Sequence, residues 1–199
     1  MHSYKNLDNY EKKLITFTIE EVSKLYIRLM GLLVAVFVVP FIFAHFQSFS
    51  FYFSNFNWLT FGQDFFLFII ITFLGIALHE LIHGLTWALF VKEGLRAIKF
   101  GVLWKYLTPY CHCKGHLRVK HYIAGAIMPA VILGIVPTLW AFITGNMMIF
   151  FLGVYFIVAA SGDFLIIYLL RNEHYNSYVK DHNSLPGCIV YKLKDPIID

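Results

Sequence analysis

Four stretches of this chain are apolar on every face rather than striped at the 3.6-residue or two-residue spacing of half-buried elements. They run from about Leu25 to Ala44, Phe65 to Val91, Tyr122 to Ile143 and Met147 to Leu170. As helices rising 1.5 Å per residue, each is long enough to cross a hydrocarbon core of about 30 Å. The pattern therefore predicts four transmembrane helices. The link between the last two is only "TGNM", so they should form an antiparallel hairpin. Thr18 followed by Glu21 fits a capping box and sets the start of the first helix near Ile19.

Between the second and third spans, "AIKFGVLWKYL" and "PYCHCKGHLRV" are rich in aromatic and β-branched residues, with a break at Pro109. They predict a small β-hairpin on the cytoplasmic membrane surface. The tail stretch "LPGCIVYKL" reads as a turn and a strand that pairs with this hairpin, and "KKLITFT" as either a strand or an extended arm. Pro129 and Pro137 should kink the third span. The expected fold class is an all-α polytopic membrane protein, one domain over residues 1–199, with that hairpin between helices two and three.

Composition strengthens this picture. The 199 residues are 59% hydrophobic and 14% charged, with mean hydropathy +0.66, which excludes an ordinary soluble domain. Charge then supplies an orientation. All 16 Lys and Arg lie before or at the start of the first span, between the second and third, or after the fourth. The other two loops, "HFQSFSFYFSNFNWLTFGQD" and "TGNM", hold none. By the positive-inside rule both termini face the cytoplasm of a multi-pass protein in the cell membrane. The net charge of +4 is thus a topology signal, and no nucleic-acid partner is expected. The aromatic outer loop reads as an interfacial belt. The first span is not a cleavable signal: its apolar run is too long and no small-residue cleavage site follows. Cys111, Cys113 and Cys188 all fall on the cytoplasmic side, where disulfides are not expected.

Against this background "GIALHELIHGLTWALF" stands out. His79, Glu80 and His83 lie inside the second span, where even lenient insertion scales charge roughly 2.5–3.5 kcal/mol for an acidic residue. The fourth span adds Asp163; no other acid lies well inside a span, Asp64 marking only the outer end of the second. His79-Glu80-Leu81-Ile82-His83 is H-E-x-x-H. On a helix it stacks two imidazoles one turn apart on one face, where both can reach one metal ion, with Glu80 about 100° round, able to address a water without ligating. A catalytic zinc takes three protein ligands and keeps one position open. Asp163 is the unused acid at matching depth, so the expected site is one Zn²⁺ per chain on His79, His83 and Asp163, with Glu80 as general base. Cys111, His112, Cys113 and His116 also carry ligand atoms, but C-x-C in a strand is too cramped for a zinc knuckle and reads more simply as reduced thiols.

The segments "ALHELIHGLTWALF", "IKFG", "HYIAGAIMPAVILGIVP", "SGDFLIIYLLRN" and "VKD" resemble the small bacterial family of membrane zincin metallopeptidases, itself similar to the site-2 intramembrane metalloproteases. The resemblance runs from about Phe65 to Tyr191. It implies His79, His83 and Asp163 as ligands and Glu80 as catalytic. It also implies a membrane-protein or peptide substrate, presented to an edge strand such as Ile98 to Trp104. The order Ser161-Gly162-Asp163 departs from the Leu-Asp-Gly of site-2 enzymes. The expected function is an intramembrane zinc metalloprotease. The alternatives are a metal-binding membrane scaffold without peptidase activity and an ion transporter, the latter disfavoured by the lack of an inverted repeat.

Overall fold

A computed structural model describes residues 10–16, 18–104, 108–182 and 187–193. The chain is mostly helical and carries two small antiparallel sheets. Helix α1 (Ile19–Leu33) starts where the capping box places it. Thr18 Oγ1 accepts the Glu21 N–H at 3.2 Å, and a Glu21 carboxylate oxygen accepts the Thr18 N–H at 2.8 Å. It continues through one widened turn, Val34–Val38, into α2 (Val39–Ala44). There the Val39 N–H reaches back five residues to Val34 O. Pro40 is the cause: it has no N–H, and its ring crowds the carbonyl one turn earlier, so a wider turn relieves both problems. The same device recurs between α5 (Val119–Pro129) and α6 (Val136–Thr144), ahead of Pro137. The prolines of the third span are thus absorbed mainly by a π-type turn, and Val119–Thr144 remains one candidate span.

The reading of the apolar runs and of the loop between the first two needs three corrections. The second long helix, α4, runs Trp58–Ala88 and so begins seven residues before the apolar run. Asn57 is its cap, accepting the Leu59 and Thr60 N–H groups at 2.8 and 3.2 Å. Asp64 consequently sits inside the helix, not at its end. The loop before it holds another helix, α3 (Phe46–Ser54). Finally, the fourth apolar run is broken: α7 (Met147–Ala159) and α8 (Ser161–Leu170) meet at a 43° bend. Among the described residues, three helices are therefore long and apolar enough to cross a membrane, or four if the bent pair is one span. Their outward faces need lipid: Phe43 is 85% exposed and Phe73 70%.

Where helices do touch, glycine permits it. A methyl at Gly153 would overlap Thr138 of α6, so α6 and α7 form a tight antiparallel hairpin, turned at Gly145 (φ 69°) and capped by Asn146. Gly75 of α4 admits the Phe156 ring of α7 in the same way. Gly162 faces open space, so the close approach of the fourth apolar run to α4 is made at Gly75. At the end remote from the basic residues, Phe41 stacks on Phe150 at 3.8 Å and His45 Nε2 lies 3.0 Å from Phe142 O, tying α2 to the hairpin.

The basic end carries the sheets. Strands β1 (Tyr10–Thr16), β4 (Leu117–Arg118), β5 (Tyr178–Asp181) and β6 (Gly187–Leu193) form one sheet in the order β1-β6-β5-β4. The tail strand thus pairs with β1 and β5, not with the hairpin, because it needs two partners to bury Cys188 and Val190. The "KKLITFT" ambiguity resolves as strand through Thr16. The Pro186 turn lies outside the described residues. The hairpin is a separate ribbon, β2 (Ile98–Leu103) on β3 (Thr108–Cys113), with Ile98 opposite Cys113; residues 105–107 lie outside the described residues. Pro109 sits within β3 rather than breaking it. Lys114 N–H bonds to Ala97 O, which places the 102–109 pair at a non-hydrogen-bonded position that needs no N–H.

One apolar cluster joins the four-stranded sheet to the helix ends: Ile15, Trp87, Leu117, Val119, Leu170, Val179 and Val190 are all buried in it. Glu173, just past α8, is buried and bridges Lys13 of β1 and Lys192 of β6 at 2.7 Å each. Burial opposes its ionisation, but the two lysines overcome this and hold its carboxyl below the usual range. A depressed folded pKa gives stability that is present above the unfolded value of 4.5 and fades as pH falls through the folded one. Glu173→Gln should therefore cost about 1.5–3 kcal/mol at pH 7 and little in strong acid, read from melting in detergent at pH 7 and pH 3.

Candidate metal centre

The centre is built on two turns of α4 and the first turn of α8. His79 and His83 stand one turn apart on one face and are buried, at 8% and 4% exposure. Asp163 follows directly after the bend at Ala160. Glu80 is eight residues from the end of α4 and Asp163 seven from the end of α8, so the two helices present their polar groups at one level. Asp163 Oδ2 lies 3.2 Å from His79 Nε2, and Oδ1 lies 3.4 Å from His83 Nε2. One ligand atom from each of the three residues fits within 4.8 Å of the others. Among the described residues no other group of His, Cys, Asp or Glu comes together in this way.

The donors themselves test whether a cation belongs there. His83 Nδ1 lies 2.8 Å from the Gly125 carbonyl, which can only accept, so Nδ1 carries the proton. In the neutral ring Nε2 then offers a lone pair toward a carboxylate oxygen. Two electron pairs facing each other at 3.4 Å call for a positive charge between them. Among the described residues His79 Nδ1 is buried without a partner, leaving Nε2 as its engaged nitrogen. Two imidazoles and a carboxylate are a zinc donor set, and a backbone carbonyl behind His83 is the customary second partner of a ligating histidine.

Around this core the packing is close. His83 stacks on Trp87 at 5.2 Å, and Trp87 stacks on Tyr122 at 5.2 Å and donates its indole N–H to Tyr122 O at 3.1 Å. A methyl at Gly125 would overlap the Trp87 indole, and one at Gly84 would overlap the Phe100 ring of β2. Gly125→Ala should therefore push α5 from α4 and lengthen the His83 bond to Gly125 O. The expected loss is roughly 10–100-fold in metal affinity, read by competitive zinc titration.

Glu80 is half-buried and does not join the three-residue cluster; the backbone N–H of Cys111 in β3 faces its carboxylate. The next outward N–H of that strand, Cys113, donates to Asp181 Oδ2 at 2.8 Å, and Tyr122 O–H donates to Asp181 Oδ1 at 2.6 Å. Burial pushes the Asp181 carboxyl above the usual range, while these two donors pull it back. Asp181 and Tyr122 were not singled out in the sequence. "VKD" carries Asp181, but only the fold reveals what it meets. Among the described residues the cysteines join no group of potential metal ligands, and burial raises Cys113 to about 11 and Cys188 to about 12, and raises Cys111 as well. All three stay thiols near neutrality.

A family model described as "Putative zincin peptidase" matches residues 72–178, just over half of the chain, a segment that contains His79, Glu80, His83 and Asp163. No curated protein and no solved structure matches.

Proposed function

The chain belongs to this zincin peptidase family, and from that premise we propose that it is an intramembrane zinc endopeptidase, similar in mechanism to the site-2 proteases. One observation carries the proposal: His79, His83 and Asp163 converge within 4.8 Å on apolar helices, with Glu80 on the adjoining helix face. The three side chains would hold the metal, one ion per chain. Zinc supplies a Lewis acid that lowers the pKa of water toward 7 and polarises a carbonyl. Glu80 takes the proton of the attacking water on its carboxylate as the water oxygen bonds to the scissile carbonyl carbon. It returns that proton to the amine nitrogen as the C–N bond breaks.

The substrate in this reading is an extended stretch of a membrane protein or membrane-bound peptide. β2 is the strand to receive it. The register turns the backbone groups of Phe100 and Val102 away from β3, leaving them open to a pairing chain, while Phe100 packs over Gly84 beside His83. The four apolar runs form a single membrane domain in which the bent α7–α8 pair is the fourth span. Both termini and the catalytic level lie toward the cytoplasm, in keeping with the placement of every Lys and Arg.

Protein purified in detergent without added metal should carry close to one zinc per chain and cleave single-pass membrane substrates in proteoliposomes. A chelator should stop cleavage and added zinc restore it. Protein free of zinc, or cleavage that persists after chelation, would overturn the assignment.

A further inference from the structure

The hairpin that faces Glu80 is a two-stranded ribbon, an element that is marginal unless something fixes it. β3 is the edge turned toward Glu80 and Asp181, and the register sends the backbone N of residues 109, 111 and 113 away from β2. Pro109 has no N–H. That of Cys111 faces Glu80, and that of Cys113 is held by Asp181 at 2.8 Å. Asp181 is therefore the anchor of the strand one alternation away from the catalytic glutamate.

The same carboxylate holds a second lever. Its other oxygen accepts the Tyr122 O–H at 2.6 Å, and Tyr122 is the far member of the stack that runs through Trp87 to His83. His112 Nδ1 adds a third contact, 3.5 Å from Oδ2. A buried carboxylate is a poor way to gain stability alone, since apolar replacements of buried charges are often neutral or better. Here one side chain touches both halves of the centre, the strand before Glu80 and the aromatic stack behind His83. It also lies beyond the segment, 72–178, that the family model covers.

We propose that Asp181 is a positioning residue for the reaction described above: it fixes β3 against Glu80 and, through Tyr122 and Trp87, the plane of the His83 ring. The kinetic part of this inference rests on the peptidase reading; the structural part does not. In the full-length protein, Asp181→Ala should speed amide exchange in the 108–114 segment about tenfold or more, because the Cys113 N–H loses a charged acceptor. It should keep its zinc, lower kcat roughly 10–100-fold and leave KM within about twofold. Asp181→Asn, whose amide oxygen can still accept from Cys113, should recover most of the protection and the rate. Tyr122→Phe keeps the ring and removes only the hydroxyl, so it should shift exchange and kcat in the same direction and carries the test if Asp181→Ala does not fold. Unchanged exchange in the alanine and phenylalanine variants, or zinc lost in step with activity, overturns the inference. A wild-type protein that never cleaves would refute the peptidase reading instead, and the exchange measurement would still decide the role of Asp181.

Discussion

Glu80→Gln should all but stop cleavage while leaving the metal in place. The three clustered donors come from His79, His83 and Asp163; Glu80 is not among them, and the Cys111 N–H faces its carboxylate. Glutamine is nearly isosteric and its amide oxygen can still accept from that N–H, so neither the hairpin nor the donor cluster has cause to move. What is lost is a group that can take a proton from water and hand it to the departing amine. General acid–base catalysis is worth about 10²–10⁴-fold, and both transfers are assigned to this one carboxylate, so the loss should lie at the upper end. Zinc analysis of the purified variant and turnover of a co-reconstituted membrane substrate measure the two halves separately. Normal cleavage would remove Glu80 from the mechanism. Loss of zinc would mean that Glu80 ligates, and the donor set would need redrawing. The variant should also retain bound substrate, which makes it the means to identify that substrate by trapping.

Much of this centre was legible because its parts are local. An i, i+4 pair of histidines needs only helical geometry to share a face, and the long apolar run on either side of them already reads as a helix. The capping box at Thr18 and Glu21 and the "TGNM" turn were legible for the same reason. Hydropathy is blind to caps, however. The apolar run starts at Phe65, but Asn57 caps the helix, and the residues between mix apolar Trp58, Leu59 and Phe61 with Thr60, Gly62, Gln63 and Asp64, which lower the hydropathy without ending the helix. It is equally blind to a bend within an apolar stretch, so Met147–Leu170 read as one rod although it turns by 43° at Ala160. The sheet partners were not legible at all. β1 and β6 are separated by most of the chain, and their pairing is set by the burial of Ile15, Cys188 and Val190 against helix ends that no local pattern describes. Asp181 and Tyr122 share that cause: each is unremarkable in sequence and meets the other only because β5 returns beneath α5.

The bend bears directly on the second large effect, the loss of metal from Asp163→Ala. Asp163 belongs to the first turn of α8, and the break at Ala160 gives that turn a direction of its own, independent of the α7 axis that packs on Gly75. Its two oxygens divide between the two imidazoles, 3.2 Å from one and 3.4 Å from the other, so a single side chain closes the triangle. Removing it leaves two histidines on one helix, with no third donor among the described residues to replace it. Loss of a mere outer partner of a ligand costs roughly 10–100-fold in affinity, and loss of a ligand should exceed that. The variant should emerge from purification with little zinc and no activity, yet fold, because Gly162 beside it faces open space and the core contacts of α8 run through Leu165 and Leu170. Asp163→His, which restores a neutral nitrogen donor, should regain part of the metal, whereas Asp163→Asn should regain less because an amide is a weak zinc ligand. A full complement of zinc in Asp163→Ala would place the third ligand elsewhere. The convergence of α4 and α8 would then be a buried His–carboxylate contact rather than a metal centre.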